Sequence, residues 1–367
     1  MKVRSAEGSI RYISNKRSGP GSSSYMDYFG GEKIRRAARS LDQAFAHEYT
    51  PLISLNEMAD HCGVGHVFLK DESSRLGLNS FKGVGVAFAV SELLKRRGTG
   101  KKKLITASAG NHGLAVAWAS REAGLDAEVF LPKGTSGALV YSIKSLGANV
   151  TFVDGGYDEA VSAAGLSAQR TDNLLIQDTT LPDYLDIPIL IMQGYCKIFD
   201  ETFSQLNCRP THVFAQAGVG SFAGALGAYL NAMSLSDISL YLVEPETAGC
   251  FYHSIAKNKA VRIEGSMQTS MSGLACGTTN NIAYDILSRR ASGCFACSDT
   301  VAEIGMEWLN SELKAEILSP YGPSGSVTAG LLSCLSSGYP EASRIREEIG
   351  LEENSVVLLF ATEKLLS

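Results

Sequence analysis

Short apolar runs that alternate with helical stretches constrain this chain more than any other feature. Strands are predicted at residues 104–106, 127–131, 149–153, 174–177, 212–215, 239–243 and 356–360, each a brief, nearly unbroken apolar run. Strands covered on both faces read this way, because neither face meets water. Helices are predicted at 84–94, 114–123, 136–146 and 222–230, and Gly124 and Gly147 close two of them before the next strand. Such alternation implies an α/β fold with largely parallel sheets. With 367 residues and 45% hydrophobic content, the chain can bury a core large enough for two lobes.

Three segments at strand ends carry chemistry. Ser80-Phe81-Lys82-Gly83 sets a lysine at the mouth of an apolar helix. Desolvation there would keep its amine neutral enough to attack an aldehyde. Ser108-Ala109-Gly110-Asn111-His112-Gly113 follows the 104–106 strand; side-chain donors and free N–H groups at a helix start suit an anion. Gly218-Val219-Gly220-Ser221 turns a strand into a helix and would present a row of N–H groups to a phosphate. No Lys or Arg lies between Arg209 and Lys257, so backbone rather than a basic side chain would hold that phosphate. Each segment alone has an ordinary explanation: a surface lysine, a helix cap, a plain strand-to-helix corner. In this order and spacing they indicate pyridoxal phosphate, with a lysine for its aldehyde and loops for its phosphate and for a substrate carboxylate.

Tyr49-Thr50-Pro51-Leu52, Phe68-Leu69-Lys70-Asp71-Glu72-Ser73, 76–82, Ile191-Met192-Gln193-Gly194-Tyr195, 216–224 and Ser272-Gly273-Leu274-Ala275-Cys276-Gly277 extend the pattern. Across roughly residues 45–365 the chain resembles the fold type II pyridoxal phosphate enzymes (tryptophan synthase β-like), in particular the diaminopropionate ammonia-lyase and threonine dehydratase-like group. The resemblance implies two lobes, each a mainly parallel twisted sheet flanked by helices. Residues 1–84 and 179–367 would form the large cofactor-binding lobe and 85–178 a small inserted lobe; independently of the resemblance, Gly19-Pro20-Gly21 and the three serines after it make the first 25 residues read as an arm or a partly mobile segment. The resemblance also implies a homodimer.

Residue by residue, the resemblance assigns Lys82 to the cofactor aldehyde and to the substrate α-proton. Phe81 lies beside the cofactor, Asn111 on its ring hydroxyl, and Gly218, Val219, Gly220 and Ser221 around its phosphate. Thr362 would face the ring nitrogen; a hydroxyl there, in place of a carboxylate, weakens the electron sink and favours prompt loss of a β-leaving group. Ser108, Ala109, Gly110, His112 and Tyr195 would line the substrate site. Asp178 matches an acid/base of the diaminopropionate lyases acting opposite Lys82, although a strand-end aspartate can equally cap a turn. Ala109 stands where lyases that accept both enantiomers carry an aspartate. Gly322, in Gly322-Pro323-Ser324-Gly325, stands where dehydratases commonly carry a glutamate.

The activity implied is elimination of ammonia from L-2,3-diaminopropionate or a related β-substituted alanine, giving pyruvate. L-serine or L-threonine dehydration and β-replacement through an aminoacrylate are the alternatives. A formal charge of −5 disfavours nucleic acid. No apolar span or leader-like segment is visible, and the eight cysteines do not read as a disulfide framework, so a cytoplasmic enzyme of amino-acid metabolism without a membrane partner is expected. Cys294-Phe295-Ala296-Cys297 is a single CxxC, and no metal site is expected from it.

Overall fold

The computed structural model describes residues 2–5, 8–17, 23–44, 49–97, 103–171, 173–180, 184–313 and 320–365. Its strands are β1 (Lys2–Ser5), β2 (Gly8–Ser14), β3 (Leu52–Ser54), β4 (His66–Asp71), β5 (Leu104–Ala107), β6 (Ala127–Pro132), β7 (Asn149–Val153), β8 (Leu174–Leu175), β9 (His212–Gln216), β10 (Ser239–Pro245), β11 (Gly293–Cys297) and β12 (Val356–Ala361). They form two sheets, of order β1-β2-β11-β10-β9-β12-β4-β3 and β7-β6-β5-β8. The smaller sheet is parallel throughout. In the larger, β11 to β4 run parallel, while β2 and β3 join antiparallel at either side. Central strands such as β9 and β11 are buried along their whole length, as their apolar runs demand.

Two expectations are corrected. The N-terminal segment is no arm over 8–14, where β2 pairs with β11 and buries Ile10 and Tyr12; residues 18–22, with their Gly19-Pro20-Gly21, lie outside the described residues. The strand expected at 174–177 stops at Leu175. Past it the pairing passes partly to side chains: Tyr184 Oη accepts from Gln177 N–H, and the Gln177 amide donates to Ala107 O and accepts from Thr106 Oγ1.

The CxxC lies on β11, where positions three apart face opposite sides of a sheet. Cys294 and Cys297 accordingly enter different cores. Among the described residues no cluster fit to hold a metal is present.

The helices Lys82–Arg97 and Asp186–Gln205 cross at Gly85 and Gly194. A Cβ on Gly85 would sit 2.5 Å from Tyr195 Cε1, and one on Gly194 would sit 2.8 Å from Gly85 Cα. Only glycine permits this approach, which brings Tyr195, midway along the second helix, close to Lys82 at the start of the first.

Candidate active site

Apart from Tyr195, which lies within the helix Asp186–Gln205, the candidate groups follow the carboxyl ends of parallel strands, where open α/β sheets bind ligands. In the larger sheet β9, β12 and β4 are neighbours; they lead into the glycine loop, Thr362 and Lys82 respectively. In the smaller sheet β5 and β8 are neighbours and lead to Asn111 and Asp178. Side chains then join the two sets.

The loop that delivers Lys82 is fixed by buried charge. Lys70 Nζ lies 2.5 Å from Glu201 Oε1, and Arg75 Nη2 lies 2.6 Å from Glu72 Oε1 and 2.9 Å from Glu201 Oε1. Thr50 Oγ1 donates to Glu72 Oε1 at 2.7 Å. Leu76 and Asn79 in this loop adopt φ of 55° and 52°, a left-handed backbone that costs non-glycine residues energy and persists only where the surroundings impose it. Lys82 then opens its helix.

Lys82 Nζ donates to Asp178 Oδ2 at 2.6 Å. Burial is the strongest single influence on Lys82 and lowers its pKa. The Asp178 charge and hydrogen bond, with Tyr195, outweigh it, and the net shift is upward. Burial likewise raises the Asp178 pKa, but the Lys82 charge and hydrogen bond hold it well below the usual carboxylate range. Lys82 is therefore a cation here, which corrects the expectation of a neutral amine.

His112 is also turned differently from expectation. Its Nε2 donates to Ile176 O at 3.0 Å, and its Nδ1 lies 3.7 Å from Asp178 Oδ2. Burial lowers its pKa, so the ring is neutral with the proton on Nε2, and its side chain backs Asp178 instead of reaching a substrate carboxylate. Ser108 Oγ accepts from Gly110 N–H at 3.3 Å, and Ala109 is the exposed tip of that turn. Asn111 Nδ2 donates to Glu363 Oε2 at 2.7 Å, leaving Oδ1 buried and unpartnered. Tyr195 is wholly buried, with its hydroxyl unpartnered among the described residues and close enough to Lys82 and Asp178 for their charges to act on it. The Phe81 ring packs edge-on to Tyr195 at 4.9 Å, and Lys82 Nζ lies 5.2 Å from the Phe81 centroid. Thr362 is buried, and its carbonyl accepts from Phe81 N–H at 3.3 Å.

In the glycine loop, Gly220 (φ 91°) precedes the helix Ser221–Ala232 without a side-chain cap, so first-turn N–H groups are left for a ligand. One expected donor is otherwise engaged: the Ser221 hydroxyl donates to Asp178 O at 2.7 Å, which leaves Ser221 only its N–H. A Cβ on Gly220 would lie 2.3 Å from Phe251 Cζ. Gly220→Ala is therefore expected to destabilise the fold by about 2–4 kcal/mol, from left-handed strain plus overpacking. Thermal unfolding with and without pyridoxal phosphate checks this; an unchanged Tm in both would contradict it.

Two residues escaped the sequence. Asn280, wholly buried, donates from Nδ2 to Asp178 O at 3.2 Å and to Ser221 Oγ at 3.0 Å, while its N–H bonds Val219 O. Its Oδ1 caps the helix Asn281–Arg290. An asparagine before an apolar helix is a readable cap signal, but the contacts across the site are not readable. The other is Glu363, on Asn111.

Residues 44–345 match the family described as "Pyridoxal-phosphate dependent enzyme". The diaminopropionate ammonia-lyase of Escherichia coli (strain K12) is 36% identical over 349 residues, which span 89% of this chain and 87% of that protein. The crystal structure of the Escherichia coli diaminopropionate ammonia lyase in complex with D-serine superposes with a TM-score of 0.89 at 33% identity, covering 98% of this chain and 95% of that one. The same enzyme with an aminoacrylate-PLP azomethine reaction intermediate gives 0.87 at 33% identity, covering 98% and 94%. Joined to the lysine, asparagine and glycine loop that converge at the strand ends, these likenesses establish that the chain belongs to the pyridoxal-phosphate dependent enzymes and has their fold type II architecture.

Proposed function

We propose that this enzyme eliminates ammonia from 2,3-diaminopropionate, with preference for the L isomer, giving pyruvate and ammonia. The observation that carries this reading is the Lys82–Asp178 pair, a cationic amine and a carboxylate 2.6 Å apart with a neutral histidine behind them. The residues present fit the cofactor. Lys82 lies beside the uncapped glycine loop set, Asn111 keeps a buried unpartnered oxygen, and a Cβ on Gly218 would meet Gly273 O, Cys276 Sγ and Leu274 Cα at 3.1–3.2 Å, so the loop's narrow cradle needs glycine. Bound pyridoxal phosphate supplies an electron-accepting ring that makes a substrate α-proton acidic.

The chain's own groups do the rest. Lys82 Nζ sheds its proton to solvent when it takes up the cofactor, and as a free amine it takes the substrate α-proton. Asp178, ionised, hydrogen-bonds the β-ammonium of the substrate and orients it, so that the β-nitrogen leaves as ammonia with the electron pair of the broken Cβ–N bond. His112, proton on Nε2, keeps Nδ1 toward Asp178 and so adds no competing positive charge. Gly218, Gly220 and Ser221 offer N–H groups to the phosphate, Phe81 and Thr362 flank the cofactor, and Ser108, Ala109, Gly110 and Tyr195 border the substrate.

Preference for the L isomer rests on Ala109. An alanine at the exposed turn tip provides no second acid/base for the D isomer. Pyruvate and ammonia release should be at least about tenfold faster from L- than from D-2,3-diaminopropionate, consistent with loss of one positioned acid/base costing 10²–10⁴-fold, and Ala109→Asp should raise the D rate. Equal wild-type rates would remove the stereochemical part. Two ammonia per pyruvate identify the diamine substrate; one ammonia from L-serine or L-threonine, at a higher kcat/KM, would favour the dehydratase reading that Ser108-Ala109 resembles.

We further propose lobes of residues 1–84 with 179–367 and of 85–178, supported by the confinement of the smaller sheet to Leu104–Leu175. Eight cysteines, none of them in a disulfide among the described residues, support a reducing, cytoplasmic location. A homodimer, which the resemblance suggests, is read by light scattering of the purified protein.

A further inference from the structure

Glu363 is one residue past Thr362 and was not singled out by any sequence motif. Its carboxylate is half-buried between three segments. Oε2 accepts from Asn111 Nδ2 at 2.7 Å, and Ser324 also hydrogen-bonds the carboxylate. The backbone at 363 bridges Ser80, two residues before Lys82, and its carbonyl accepts from Gly322 N–H at 3.1 Å. A Cβ on Gly322 would lie 3.1 Å from Glu363 Oε1 and 3.2 Å from its Cγ. The carboxylate thus occupies the space that a side chain at 322 would enter, the position where dehydratases commonly carry a glutamate.

We propose that Glu363 is a positioning residue for the cofactor: it supplies from just past β12 the carboxylate that Gly322 lacks, holds the Asn111 amide toward the cofactor ring, and adds negative charge to the field at Lys82 Nζ. The inference rests on the assignment of the cofactor to Lys82. With its amide nitrogen fixed on Glu363, Asn111 holds its buried Oδ1 in a single direction, as an acceptor for the cofactor ring hydroxyl. Without that partner the amide can turn, and the acceptor is no longer presented to the hydroxyl.

The charge has a separate effect. Lys82 Nζ is faced by Asp178, Tyr195 and Cys276, with His112 behind Asp178 and Glu363 on the Asn111 side. Of these, Asp178 and Glu363 are carboxylates, and Glu363 senses the Lys82 charge directly. Burial raises the pKa of Glu363, while Ser324, Lys82 and Asn111 oppose the rise. A nearby anion favours the protonated form of a basic nitrogen, so removing it moves that nitrogen's titration to lower pH.

The test uses the holoenzyme and reads the visible absorbance of the Lys82-linked cofactor against pH, together with cofactor affinity. Glu363→Gln keeps an acceptor for Asn111 and a partner for Ser324 but removes the charge. It should hold cofactor affinity within about twofold while lowering the titration midpoint by about one pH unit, the size expected of a charge lost at short range in a partly solvated site. Glu363→Ala removes both and should weaken cofactor binding about tenfold, the scale of one lost charge-assisted hydrogen bond. Adding Gly322→Glu to Glu363→Ala should return the midpoint toward the wild-type value. An unchanged midpoint in Glu363→Gln overturns the proposal even if Glu363→Ala fails to fold. Absence of a cofactor band in the wild type would instead overturn the Lys82 assignment, so the two failures are distinguishable.

Discussion

Lys82→Ala purified with excess pyridoxal phosphate should show no band of lysine-linked cofactor and should lose turnover by about 10⁴-fold or more, at least ~5 kcal/mol. On the proposed assignment, the loss combines the covalent anchor with the group that takes the α-proton. The same substitution strips Asp178 of its 2.6 Å partner, and an unpaired buried carboxylate must either be protonated or destabilise the fold. Unfolding of the cofactor-free protein should register this. The wild-type pair contributes stability from two sides. Asp178, depressed, contributes above its ordinary 3.8 and loses that contribution as pH falls through its lower folded value. Lys82, raised, contributes below its ordinary 10.5 and loses it as pH rises through its higher folded value. Lys82→Ala should flatten both limbs. Borohydride reduction of the wild type followed by peptide mass spectrometry places the pyridoxyl group; a label on any lysine other than Lys82 would sink the assignment.

For Asp178→Asn the expected outcome is an enzyme that binds cofactor and substrate yet turns over 10²–10⁴-fold more slowly, about 3–5 kcal/mol of lost transition-state stabilisation. The variant is a clean probe, because the Ser221 and Asn280 contacts are to the backbone carbonyl of residue 178 and survive a change of side chain. It also removes the charge that holds the Lys82 pKa up, leaving burial, which lowers it. Cofactor capture by the apo variant should therefore reach its plateau at lower pH than in the wild type. If steady-state rates on L-2,3-diaminopropionate are unimpaired and the capture profile is unmoved, Asp178 does not serve the β-leaving group.

Much of this fold was legible because buried parallel strands write themselves as unbroken apolar runs. The runs around β5, β6, β7, β9, β10 and β12 fell within a residue or two of the observed strands. Among the strands missed, β4 and β11 are also buried and parallel, whereas β2 is of a different kind. β2 has one buried flank at Ile10 and Tyr12 interrupted by Arg11, and its neighbours Gly8 and Ser9 suggest a loop; only pairing with β11 makes it a strand. Site residues that act through backbone geometry or local helix starts, Lys82 and the glycine loop, were readable from adjacent residues. Side-chain directions were not. The inward turn of His112 depends on Ile176 O, 64 positions away, and the Asn111–Glu363 contact joins residues 252 apart. Glu363 is also invisible as a motif, because a polar residue after the last strand is common in any chain.

Asp178 carries its side chain on Lys82 and its carbonyl on Ser221 and Asn280, which in turn bonds Val219 O. The peptide unit at 178 therefore belongs to the glycine loop as much as to the acid. Equilibrium linkage makes such a shared unit work in both directions. On the proposed assignment, whatever factor phosphate occupancy adds to the population of correctly placed carboxylate, a ligand that engages that carboxylate must add to the retention of phosphate. The enzyme would then hold its cofactor most tightly while it is working and release it most readily when starved of substrate.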